Sequence, residues 1–175
     1  MSADVTVSAD VTAAVTERPA TRRACIVMLG GRAFAVDVAD AREVVVVDAT
    51  TPVPGAPASV LGVMNLRGSV LPVVEVRPLL ELPVRPVAGR PRALVLADGS
   101  HRAAILIERV LGLSAFDTVR PLSGPGPAAL VVGELVDEAG ERAAVLDARA
   151  LLAAVRRAWI LVADSSQAVH RTTGA

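Results

Sequence analysis

Aromatic side chains are almost missing from this chain: Phe34, Phe116 and Trp159 are the whole inventory in 175 residues. Base-stacking platforms and carbohydrate sites, which need exposed aromatic faces, are not expected. Net charge is missing too. With 18 basic residues against 18 acidic ones, there is no field to gather counterions from a nucleic acid backbone or to hold an anionic membrane. Cysteine is reduced to Cys25, which lies in the apolar run Ala24 to Leu29; it can form no internal disulfide and reads as a small buried hydrophobe of a reducing compartment. No stretch approaches the roughly 18 apolar residues of a membrane span, so no direct membrane insertion is expected. The acidic Asp4 and Asp10 interrupt any secretory signal, and Ser2 stands where myristoylation needs glycine. A cytoplasmic protein is expected.

Catalytic chemistry is equally poorly provided for. A nucleophile needs a base and something to orient it, and His101, beside a turn, and His170, in the tail, are the only imidazoles. No His, Cys or carboxylate pair has metal-ligand spacing, and Leu29-Gly30-Gly31 makes a turn without the helix that a phosphate loop requires. The expectation is no catalytic residue, no cofactor, no metal, and no enzymatic activity.

What the chain has in plenty is Val, Leu, Ile and Ala. Hydrophobic residues make up 53% of it, ample for one domain or for two small units sharing a core, and the β-branched bias favours strands. Residues 1–22 carry a near-direct repeat, Ser2-Ala3-Asp4-Val5-Thr6 and Ser8-Ala9-Asp10-Val11-Thr12, too poor in large apolar groups to offset ordering, and read as a disordered arm. From Ala24 the pattern is β: Cys25 to Leu29 and Ala33 to Val38 around Gly30-Gly31, then a polar interruption at Asp40-Ala41-Arg42-Glu43 before Val44 to Val47. Further hairpins are expected at Ala93 to Ala97 with Arg102 to Ile107, and at Leu130 to Val136 with Glu141 to Leu146. Proline-rich connectors occupy Leu82 to Pro91 and Ser123 to Pro127. Asp147 suits a helix N-cap, and Leu151, Leu152, Val155 and Trp159 recur at helical spacing. The tail is set at residues 161–175.

An internal repeat runs through these elements. Val74-Glu75-Val76-Arg77-Pro78-Leu79-Leu80 and Leu146-Asp147-Ala148-Arg149-Ala150-Leu151-Leu152 share the order apolar, acid, apolar, Arg, spacer, Leu, Leu, and each follows a hairpin that opens near Gly62 or Gly133. Two equivalent units at about 24–82 and 92–155 are implied, within a domain of residues 23–160. Each has about five short strands and is too small to bury both faces alone, so the expected fold is mainly β: twin barrels around a shared apolar layer with a C-terminal helix.

The passage that organises the chain is residues 50–80. Pro52, Pro54 and Pro57 make Thr50 to Ala58 a semi-rigid extended connection. Gly62 to Leu66 and Ser69 to Val74 then form a hairpin with Arg67-Gly68 at the turn. Pro54-Gly55-Ala56-Pro57, Gly62-Val63-Met64-Asn65-Leu66-Arg67-Gly68 and Pro72-Val73-Val74-Glu75-Val76-Arg77 follow one another in an order and at intervals that resemble the CheW-like domain family. Glu75 stands where that family usually has Asp, a longer arm of the same charge. Ala41-Arg42-Glu43-Val44 is similar to the family's Val-x-Glu-(Val/Ile) segment.

The resemblance covers residues 24 to about 155 and implies paired five-stranded SH3-like barrels. It further implies a chemotaxis adaptor that bridges a chemoreceptor's cytoplasmic helical hairpin and the CheW-like domain of the CheA histidine kinase, at membrane-associated receptor arrays. On that basis Arg67 is the leading contact residue, with Gly62, Val63 and Asn65 shaping its surroundings and Glu43 and Ala41 carried over as interface candidates. The competing expectation for Arg67 is a structural one, a clamp on Glu75 or on nearby carbonyls. Two other functions fit the residues: an adaptor of a pilus-motility or other non-flagellar system, and a free-standing barrel that binds a small molecule or peptide.

Overall fold

The computed structural model describes residues 22–84, 86, 89–116, 118–122, 129–136 and 140–159. The expected N-terminal arm, apart from Arg22, the connector at 123–127 and the tail at 161–175 lie outside the described residues.

Among the described residues ten strands form two five-stranded sheets. The first contains β1 (Arg22–Leu29), β2 (Arg32–Asp37), β8 (Arg109–Phe116), β9 (Val131–Val136) and β10 (Arg142–Leu146), in the order β8-β1-β2-β10-β9. The second contains β3 (Ala41–Val46), β4 (Val60–Leu66), β5 (Ser69–Val74), β6 (Arg92–Asp98) and β7 (His101–Ile107), in the order β3-β6-β7-β5-β4. Pairing is antiparallel except for β2 with β10 and β5 with β7, which run parallel. The outer strands of each sheet turn back toward each other. Thr51, beyond β3, bridges Val63 of β4, and Arg120, beyond β8, bridges Glu134 of β9.

The sheets are not drawn from the contiguous units expected at 24–82 and 92–155. Strands β1 and β2 enter the first sheet, and the chain then crosses to lay down β3, β4 and β5 in the second. The other half does the converse: β6 and β7 stay in the second sheet before β8, β9 and β10 return to the first. The two halves thus repeat in element order while each sheet is completed by the other half. The polar interruption at Asp40 to Glu43 is also mostly strand, because Ala41 and Glu43 pair with Leu96 and Val95 across a bulge that leaves Arg42 over.

Strand alternation sends neighbouring side chains into different cores. On β6, Ala93 and Val95 face a cluster inside the second sheet with Leu71, Val73 and Ala104, whereas Leu94 and Leu96 face a layer between the sheets with Val27, Phe34 and Ile105. On β1 and β2, Ala24 and Ala35 turn inward to Leu135 and Val145, and Val27 and Val36 face the same shared layer. Both faces being buried explains why these strands read as unbroken apolar runs. A helix, α1 (residues 148–159), caps the layer with Leu151, Leu152 and Val155. It starts where expected: Asp147 Oδ1 accepts the Ala150 N–H at 2.8 Å.

Glycine is required where the sheets close. A Cβ on Gly133 would sit 2.3 Å from the Arg120 carbonyl oxygen, and one on Gly62, at φ 149°, would sit 2.6 Å from that of Thr51. These backbone atoms are held by the two closing bridges and cannot step aside. Gly133→Ala is expected to cost at least about 2 kcal/mol, read as a lowered midpoint in urea, whereas Gly140→Ala, with open space around its Cβ position, should show only the smaller penalty of a positive φ.

Candidate functional site

The β4–β5 hairpin closes on Arg67 and Gly68, whose φ angles are 51° and 84°. Two successive left-handed residues match a type I′ turn, which suits the twist of the flanking strands and favours Asn or Gly at the first position. Arginine there costs about 1 kcal/mol of backbone strain. Asn65 steadies the turn, its Oδ1 accepting the Gly68 N–H at 2.8 Å. The Arg67 side chain is 79% exposed and reaches β3 at the opposite edge of the same sheet. Its Nη2 lies 2.9 Å from Glu43 Oε2, and its Nη1 donates to Glu43 Oε1 at 3.3 Å. This is a forked ion pair over the line where the sheet closes.

The structure therefore brings Arg67, Asn65 and Glu43 together. Gly62 and Val63 lie further along the same line: Val63 exchanges both backbone hydrogen bonds with Thr51, at 2.8 and 2.9 Å, an approach that the missing Cβ of Gly62 allows. Ala41, two residues before Glu43 on β3, packs partly buried on the layer between the sheets. Around the seam Val44 and Val46 of β3 and Leu61 of β4 are exposed, as is Val70 of β5. Exposed apolar strand side chains beside a paired cation and anion make the kind of surface on which a helix or strand of another protein docks.

Glu75 is not the partner of Arg67. It is buried and held by Arg77, whose Nε and Nη2 lie 2.8 and 2.5 Å from its two carboxylate oxygens, with the Arg77 N–H adding a third bond at 3.0 Å. Arg77 also faces Glu108 at 3.6 Å, and Glu108 accepts from the Gly31 N–H at 3.2 Å. Glu108 sits where the chain crosses from β7 to β8, so the cluster fastens the end of β5 to the crossing between the sheets. Burial alone would raise the Glu75 pKa, but the hydrogen bonds from the Arg77 side chain and backbone, with its charge, outweigh that and hold the carboxyl below its ordinary value. The Glu75 bond raises the Arg77 pKa, against burial and with help from the charges of Glu75 and Glu108. Because the folded carboxyl is the stronger acid, its contribution is complete above the unfolded value near pH 4.3 and is lost as pH falls through the folded value. Thermal melts should show stability dropping below about pH 4, and Glu75→Gln should flatten that dependence.

Among the described residues no group of three His, Cys, Asp or Glu side chains is placed to hold a metal ion, and no helix is long and apolar enough to cross a membrane. A pair of five-stranded SH3-like sheets with an ion-paired seam falls in the class of small double-sheet β folds. The sequence pattern of the CheW-like domain matches residues 23–156, and the chain belongs to that family of scaffold and adaptor proteins. The chain is 35% identical over 82 residues to the chemotaxis protein CheW of Rhizobium meliloti, covering 47% of this chain and 53% of that one. It is 31% identical over 104 residues to protein PilI of Pseudomonas aeruginosa, covering 58% of each. The chain thus spans about half the length of these relatives. The crystal structure of the scaffolding protein TtCheW of Thermoanaerobacter tengcongensis has the same fold, with a TM-score of 0.66 at 19% identity, over 73% of this chain and 89% of that one.

Proposed function

We propose that this protein is a non-catalytic adaptor of a chemosensory array, coupling the cytoplasmic helical hairpin of chemoreceptors to the CheW-like domain of a CheA histidine kinase. The observation that carries this reading is Arg67: a charged residue held in a left-handed turn that Asn or Gly would fill at less cost, its guanidinium exposed and aimed by Glu43. Strain of this kind persists where a side chain has to be presented. Val63 and Asn65 on β4 and the exposed valines of β3 supply the surface beside it, with Gly62 admitting the Thr51 backbone where the sheet closes. On this reading the protein works in the cytoplasm, recruited to arrays at the membrane, and needs no cofactor.

The test is reconstitution. The full chain, mixed with a receptor cytoplasmic fragment and the kinase's CheW-like domain, is expected to elute with both as one complex in size-exclusion chromatography. Failure to bind either would remove the proposal. A second reading, an adaptor of a chemosensory system other than flagellar chemotaxis, is favoured by the similarity to PilI, a relative not named as a chemotaxis protein. Parallel reconstitution with kinases and receptors of the two kinds of system separates them.

A further inference from the structure

Helix α1 does not lie flush on the strands beneath it. Between it and the face of β5 and β7 is an open depression of about 300 Å3, lined by Pro72, Leu152, Val155 and Trp159, with His101 and Arg102 on the strand side and Arg156 on the helix side. A hollow of about 130 Å3 adjoins it and shares His101, Leu152 and Arg156. The lining of the larger depression is apolar and its rim is cationic, while Asp98 lines the smaller hollow. Arg149, beside the smaller hollow, is answered by Asp98, with Nε 3.6 Å from Oδ1, and by the charge of Asp40. Arg156 instead meets His101, Nη1 to Nε2 at 3.2 Å. Among the described residues no carboxylate lies within ion-pair distance of Arg102 or Arg156. The groove thus carries a local excess of positive charge on a chain whose net charge is zero.

We propose that this groove docks an acidic peptide segment of a partner protein, one large apolar side chain seated between Pro72 and Trp159 and its flanking carboxylates on Arg102 and Arg156. The volume is at the lower limit for a small-molecule site and suits a single anchoring side chain. Charge complementarity selects the flanks, because carboxylates would meet guanidinium groups that no described carboxylate pairs within ion-pair distance. The contact is separate from the Arg67–Glu43 pair and stands whether or not the adaptor reading holds.

Trp159 is the chain's single tryptophan and lines the groove, so its emission reports occupancy directly. The full chain is titrated with the blocked peptide Glu-Glu-Phe-Glu-Glu. A saturable change in emission is expected, absent for the counterpart with Lys in place of Glu and for the one with Ala in place of Phe. Arg102→Gln combined with Arg156→Gln should weaken binding about tenfold at an unchanged melting temperature, while Arg67→Glu should leave it unaltered. No saturable change, an equal response to the lysine peptide, the same response to free glutamate, or undiminished binding by the Arg102→Gln/Arg156→Gln chain would each overturn the proposal.

Discussion

Replacing Arg77 by Ala is expected to destabilise the protein by about 3–5 kcal/mol. The loss is large because the substitution leaves the Glu75 carboxylate buried with only the residue-77 backbone N–H, stripped of its charge partner and of both guanidinium bonds, and takes from Glu108 its cationic neighbour at the crossing between the sheets. For a domain of this size each kcal/mol moves the midpoint by about 2–4 °C, so a fall of about 6–20 °C should be visible by circular dichroism. The chemistry of the cost predicts a rescue. Glu75→Leu combined with Arg77→Met removes both charges, and it should recover most of the lost stability because apolar pairs often replace buried ion pairs at no net cost. A loss below about 1 kcal/mol for Arg77→Ala would mean that water reaches the pair and that the cluster does not fasten the sheets.

Arg67→Glu is expected to abolish capture of receptor fragment and kinase domain while moving the thermal transition by only a few degrees. The ion pair with Glu43 is exposed, and such pairs contribute about 0–1 kcal/mol, so folding has little to lose. Binding has more to lose: the reversed charge stands beside Glu43 and repels whatever anionic group the guanidinium met. Arg67→Asn sharpens the comparison. Asn relaxes the left-handed turn and should hold or raise the melting temperature, yet it cannot reach Glu43 or a partner. If Arg67→Asn instead lowers stability by more than about 1 kcal/mol, the side chain serves the fold.

Much of the fold is written where glycine turns punctuate apolar runs. Gly30-Gly31, Arg67-Gly68 and Gly99 mark hairpins that the structure contains, and the Asp147 cap and the leucines after it mark α1. Strand β8 left no comparable trace. Val110, Leu111 and Leu113 are exposed there, and Gly112 at φ 151° accompanies a register shift against β1, so the strand lacks the alternation that burial of one face imposes. The repeat was legible as sequence, but its crossing was not, since similarity between halves says nothing about which strand pairs with which. The site was legible in part. Arg67 and Glu43 are separately visible as polar residues among valines, but their pairing depends on the two edges of one sheet meeting. The Glu75–Arg77 cluster lies in plain view as acid-x-Arg and was missed because its meaning is burial. The matching Asp147 and Arg149 have other tasks, one capping α1 and the other facing Asp98 at the surface.

The central claim, that the guanidinium at the β4–β5 turn serves docking, is tested most directly by a charge swap. Glu43→Arg combined with Arg67→Glu restores the ion pair in reverse and should melt within a few degrees of the unaltered chain, yet co-sediment with neither receptor fragment nor kinase domain. Recovery of co-sedimentation in the swapped chain would contradict the account, because it would show that the pair only braces the seam and that the partners dock elsewhere.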